Sequence, residues 1–170
     1  WQTISQHKTS PTIGFVWLGN AAHKNDHNRS MPLALMLEAF PPGLTYVSLQ
    51  KECTAQEKEL LRVHAHVHDM SDEIHDFADT AALCQEVDLV ISVCTSVAHL
   101  SASLQRPTWI LLAHHPDWRW QLARSDSPWY PSAKLYRQAQ RQDWQPVIHA
   151  LRHDLLNLQN HATHPHDIEA

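Results

Sequence analysis

The chain has three glycines in 170 residues, and none stands in a G-x-G-x-x-G run behind an apolar strand. That absence removes the usual dinucleotide fingerprint, whose glycines let the backbone approach a pyrophosphate. No G-x-x-x-x-G-K-[ST] loop exists, which excludes a P-loop nucleotidase. No G-x-S-x-G elbow is present to expose a hydrolase serine. Cysteine is scarce: Cys53, Cys84 and Cys94 are widely spaced, odd in number and form no C-x-x-C pair. This suits a reduced, cytoplasmic protein rather than a disulfide framework. A basic excess is lacking too. Thirteen Lys and Arg stand against 18 Asp and Glu, for a net charge of −5 with histidine neutral. Nucleic-acid binders carry a basic face, so that class is set aside. No apolar run approaches the roughly 20 residues of a membrane span. The opening "WQTISQHKTS" is polar and reads as no signal peptide, and the lack of an initiating Met suggests a start inside a longer chain.

Hydrophobic residues make up 43% and charged residues 18%, enough for one domain with a proper core. Residues 1–11 read as a flexible leader, 12–159 as the domain, and the His-rich 160–170 as a disordered tail. Apolar, β-rich runs at 12–18, 44–50, 63–69, 88–93 and 107–113, with an edge run at 133–138, predict six strands. Helical patterns fall at 33–40, 54–62, 76–87, 96–105 and 143–159. Asp76 is the expected N-cap of the third, with Ala81, Ala82, Leu83 and Val87 as its buried stripe. The strands are continuous apolar runs, the habit of strands covered on both faces. Strand and helix alternate with short connections. The expected architecture is therefore α/β: a doubly wound, mostly parallel, six-stranded Rossmann-like sheet.

Ligands bind at the carboxyl ends of the strands in such a sheet. "GNAAHKNDHNRS", "CTSVAH" and "HHPDWRW" each follow a strand directly and should gather at that edge. Two of them lie in long loops, 19–32 and 114–132, and long ordered loops in compact domains are usually functional. At the Cys94–Thr95–Ser96 junction a helix start offers unpaired N–H groups, and His99 lies one turn on, on the face of Thr95. The junction reads as a phosphate cradle, or as an ordinary cap beside a half-buried histidine. A Cys94–His99 nucleophile is the weaker alternative, because five positions across a turn do not secure a base within reach. Lys24 and Arg29, beside Asn25, suit a diphosphate as point charge and fork. Asp117, Trp118, Arg119 and Trp120 occupy the second loop. His64, His66 and His68 would share one face of a strand over 63–68 and resemble three zinc ligands, with no fourth fixed by spacing.

"FVWLGNAAHKNDHNRSMPL", "YVSLQKE", "DFADTAALCQEVDLVISVCTSVAHLSASLQRPTWILL", "PDWRW" and "DSPWYPSAKLYRQ" together resemble the C-terminal half of bacterial family 9, heptosyltransferase-type glycosyltransferases. The version fused behind tetratricopeptide repeats is the most similar. The match covers roughly residues 12–157 by the strand–helix count. The resemblance implies the donor-binding half of a GT-B enzyme, which takes a nucleotide-diphosphate sugar and needs no essential bound metal or other cofactor. It implies a glycan or protein acceptor held by an N-terminal half that also supplies the base. Lys24, Thr95, Ser96 and His99 are implied donor-diphosphate residues, with Asn25, Arg29, Gln50, Cys94, Asp117 and Arg119 as further donor contacts. In the family the junction usually reads Ser-Val-Asp-Thr, followed by Ala-His; here Cys94 stands in place of the Asp. The implied alternative is a binding or scaffold module that kept the half fold and lost transfer.

Overall fold

The computed structural model describes residues 10–163. Residues 1–9 of the expected leader and 164–170 of the expected tail lie outside the described residues. Six strands form one sheet: β1 (Thr12–Val16), β2 (Thr45–Ser48), β3 (Val67–Asp69), β4 (Leu89–Val93), β5 (Thr108–Leu112) and β6 (Ala133–Arg137). Their order is β3-β2-β1-β4-β5-β6, and every neighbouring pair is parallel. The helices are α1 (Asp26–Arg29), α2 (Leu33–Glu38), α3 (Ala55–Arg62), α4 (Phe77–Glu86), α5 (Ser96–Ser103) and α6 (Gln145–Thr163).

Both faces of the sheet are covered, which is why the strands read as unbroken apolar runs. All five residues of β1 and of β4 are buried. On one face Ile13, Phe15, Tyr46 and Ile91 pack with Met36 and Leu37 of α2 and with Leu151 and Leu155 of α6. On the other, Val16, Val47 and Val90 meet Leu83 and Cys84 of α4, while Ile110, Leu112 and Leu135 meet Ala98 of α5 and Trp120. The alternation of side chains along each strand divides these sets.

Four features differ from the sequence reading. β3 begins at Val67 because Val63 is still αR and the His64 and Val67 amides bond back to Leu61 and His64 carbonyls. Residues 63–66 therefore form a turn, and His64, His66 and His68 do not line one strand face. Of the expected α4 stripe Leu83 and Val87 are buried, joined by Thr80 and Cys84, while Ala81 is half-buried and Ala82 exposed. Loop 19–32 contains the single turn α1, and α6 runs on to Thr163.

β1 neighbours β2 on one side and β4 on the other; the connection from β1 leads to β2, and that from β4 leads to β5 in the opposite direction. The crevice between the departing chains is the topological switch point, where open α/β sheets take ligands.

Candidate functional site

A cavity of about 490 Å³ lies at that switch point. The end of β1 supplies Leu18, Gly19 and Asn20; the end of β2 supplies Gln50, Lys51 and Glu52; the start of α4 supplies Asp76, Phe77 and Thr80; and the β4–α5 junction supplies Thr95, Ser96 and Val97. Arg29 of α1 closes one wall.

The three longer helices that follow the strands on this edge start differently. α3 and α4 each begin with a complete capping box, Thr54 with Glu57 and Asp76 with Asp79. The N-cap of α5 is Thr95, and its side chain makes no cap bond. Its hydroxyl turns inward to Ser92 Oγ, 3.0 Å away. The first-turn amides of α5, carrying the positive end of the helix dipole, are thus left to whatever fills the cavity. Gln50 Oε1 accepts from the Leu18 amide at 3.1 Å and so ties the ends of β1 and β2 together.

Arg29 is held in place rather than waving in solvent. Its Nε donates to Asp26 Oδ1 at 3.0 Å and its Nη1 to the Cys94 carbonyl at 3.0 Å. Only 17% of its side chain is exposed. Gly19 makes room for it: a Cβ there would lie 2.6 Å from Arg29 Nη2 and closer still to Asp26 Oδ1. A guanidinium anchored beside an uncapped helix start is a suitable receptor for a phosphate group.

Of the residues singled out in the sequence, Arg29, Gln50, Thr95 and Ser96 line this cavity. Asn25, Cys94 and Asp117 line a smaller one of about 120 Å³ on the far side of Arg29. Lys24, His99 and Arg119 line neither. Lys24 is exposed and, among the described residues, without a hydrogen bond or ion pair; Arg29 stands where Lys24 was expected. His99 stacks on Trp120 with ring centroids 5.0 Å apart, and its Nδ1 is 3.0 Å from the Tyr130 hydroxyl. Burial, and then the Arg119 charge, hold its pKa below the ordinary value. Arg119 pairs with Asp117 at 2.8 Å. Burial by itself would raise the Asp117 carboxyl, but hydrogen bonds from the Arg119 amide and guanidinium outweigh it and leave it lowered.

Cys94 is a receiver. Its Sγ accepts from the Nε1–H of the fully buried Trp120 at 3.1 Å. Burial pushes its thiol pKa up, the reverse of what a nucleophile needs. With His99 committed to Tyr130, a Cys94–His99 nucleophile does not form. His64 Nδ1 bonds the Leu60 carbonyl and His66 sits edge-on to Tyr46. Among the described residues, no group of three or more His, Cys, Asp or Glu is placed to hold a metal ion, and no helix is long and apolar enough to cross a membrane.

Lys51, Glu52, Phe77 and Thr80 line the large cavity without having been singled out for it. Strand order was the missing signal: with β2 beside β1, residues that follow β2 and those that open α4 face the same crevice.

The fold is a Rossmann-like α/β sheet that matches one half of a GT-B architecture. The structure of E. coli ADP-heptose LPS heptosyltransferase II is similar over 95% of this chain, with a TM-score of 0.65 and 15% identity. Protein FlbA of Caulobacter vibrioides is 29% identical over 143 residues, 81% of this chain. The chain spans 50% of that heptosyltransferase and 24% of FlbA. No protein-family model matches the chain.

Proposed function

We propose that this chain is the donor-binding, C-terminal half of a glycosyltransferase that takes a nucleotide-diphosphate sugar. One observation carries the reading: the cavity at the switch point joins an uncapped α5 start to the anchored Arg29 guanidinium. The similarity to the E. coli ADP-heptose LPS heptosyltransferase supports the donor class. Thr95, Ser96 and the α5 amides hold one phosphate and Arg29 the other, with Lys24 as an outlying charge. The same groups stabilise the nucleotide diphosphate as it leaves. The half is incomplete alone. An N-terminal half, behind tetratricopeptide repeats in the longer protein, brings the glycan or protein acceptor and the base. Transfer takes place in the cytoplasm and without a bound metal, so a chelator leaves it unchanged.

The test is calorimetric titration of the chain with ADP, UDP, GDP and their sugar conjugates. Saturable binding of one nucleotide is expected. Binding of none, by this chain and by the full-length protein, would sink the reading.

A second reading, a binding module that has lost transfer, is favoured by the Cys94–Trp120 bond, which spends on packing a position where the family carries a carboxylate. Sugar transfer by the full-length protein would end it.

A further inference from the structure

Arg29 is shared by two cavities. It lines the one of about 490 Å³ at the switch point and also the one of about 120 Å³ on its other side. Two of its nitrogens are spent, Nε on Asp26 and Nη1 on the Cys94 carbonyl. Nη2 has no hydrogen-bond partner among the described residues. A phosphate seated on that nitrogen has a cavity on either hand.

The two cavities differ in size and in chemistry. Pockets that take a whole small ligand measure about 300–1,000 Å³. The large cavity falls within that range and the small one well below it. A nucleoside therefore fits only the large one. That cavity also holds Phe77, 58% exposed, whose flat ring suits the face of a base.

Besides Arg29, the polar lining of the small cavity is His23, Asn25, His115 and Asp117, all exposed and within reach of a ligand. The compact side chains of Cys94, Ala113 and Pro116 complete it. Its hydrogen-bonding capacity is mixed and largely unspent. His23 Nδ1 accepts from the Asn25 amide at 3.2 Å, so in the neutral ring Nε2 carries the hydrogen and is free to donate. Asn25 Oδ1 accepts from Asn28 Nδ2 at 2.6 Å, which leaves the Asn25 NH2 as a second donor. Asp117 Oδ1 takes both the Arg119 amide and its guanidinium, at 3.0 and 2.8 Å, and Oδ2 remains as an acceptor. Donors beside an acceptor suit a group that does both. A hydroxyl donates once and accepts twice, and one sugar ring presents several hydroxyls within a small space. A simple anion has no use for the Asp117 carboxylate, and an apolar group would strand His23 and Asn25.

We propose that the 120 Å³ cavity is the subsite for the sugar of the donor. The donor then lies across Arg29. Its nucleoside occupies the large cavity, its first phosphate the start of α5, its second phosphate Arg29, and its sugar hydroxyls meet His23, Asn25 and Asp117. This rests on the nucleotide-sugar reading above and adds to it the direction of the donor and the residues that select its sugar.

The test compares a nucleoside diphosphate with its hexose conjugate on the full chain: ADP with ADP-glucose, UDP with UDP-glucose and GDP with GDP-mannose. Where only the full-length protein binds, the same comparison is made on it. In amide NMR, shifts common to both members of the bound pair are expected at residues 50–52, 77–80 and 95–97. Shifts given by the conjugate alone are expected at 23–25 and 113–117. Calorimetry of Asn25→Ala and Asp117→Asn supplies the second arm. Both side chains are exposed, and the Asp117 replacement keeps an oxygen for the Arg119 amide, so both variants fold as the unaltered chain does. Each should bind the conjugate about three- to tenfold more weakly, the loss of one hydrogen bond, and the bare diphosphate as well as before. Conjugate-specific shifts confined to the large cavity, or variants that bind the conjugate undiminished or lose both ligands equally, would overturn the sugar subsite and leave the nucleotide reading standing. Binding of no nucleotide, by this chain and by the full-length protein, would remove both.

Discussion

Replacing Arg29 with Met tests the large cavity most directly, because the guanidinium has two separable duties. Its structural duty is to bond the Cys94 carbonyl and Asp26, both at 3.0 Å. Met keeps the length and apolar stem and abandons both bonds. Asp26 retains the Ser30 hydroxyl at 2.9 Å, so its carboxylate is not stranded. Bonds to a charged group contribute about 1.5–3 kcal/mol, and the small remaining exposure trims this by solvent screening, so a loss of about 1–2 kcal/mol of stability is expected. The binding duty is larger. A phosphate contact of the same strength, lost from a partly buried site, lowers nucleotide affinity about ten- to hundredfold. Lys24→Ala removes an exposed charge with no partner among the described residues, and such charges contribute at most about 1 kcal/mol, a factor of about five. Calorimetry at two salt concentrations, with a urea melt of each variant, separates the two duties. Affinity unchanged in Arg29→Met but lost in Lys24→Ala would refute the placement of the diphosphate and return it to the outer loop.

Three further outcomes follow from the geometry. Cys94→Ala strands the buried Trp120 N–H, a penalty of about 1–3 kcal/mol, whereas Cys94→Ser keeps an acceptor and should lose less; equal urea midpoints for the two would show that the sulfur bond is idle. Acid should weaken the fold beginning near pH 6.5, the ordinary histidine value, because His99 and His66 are depressed by burial. Below that pH the unfolded chain takes up more protons than the folded one, so stability falls as pH falls toward the folded values. His99→Gln should flatten part of that slope in urea melts between pH 7 and 5, and an unchanged slope would exclude His99 as a cause. Asp76→Ala removes the cap of α4, which accepts from the Ala78 amide at 2.7 Å and the Asp79 amide at 3.0 Å, and should cost about 1 kcal/mol. Asp76→Asn, which keeps an accepting oxygen, should recover most of it in the same melt.

The sheet was legible because its signal is local. Five apolar runs separated by helical patterns can be buried on both faces only as a parallel α/β sheet, and six parallel strands are what form. The failure at 63–66 has a physical origin of the same kind. Alternating Val and His satisfies a strand period, yet α3 ends by continuing αR through Val63, and a period-two pattern does not register that competitor. The site was legible by element and not by atom. Placing three polar loops at one sheet edge needs only the chain direction of the strands. Choosing between Lys24 and Arg29 needs the turn α1, which swings Arg29 under the β4 carboxyl end while Lys24 stays outside. The same holds for Cys94. As a letter it is a missing carboxylate; in place it accepts the Trp120 N–H, and Trp120 in turn supports the ring of His99. Cys94 and His99 thus brace the wall behind Thr95 and Ser96. Substitutions at either should therefore change nucleotide affinity through the shape of that wall, and fold stability should change with it. Substitution of Arg29 should lower affinity directly, by removing a phosphate contact, beside the stability it loses with its bonds to Asp26 and the Cys94 carbonyl.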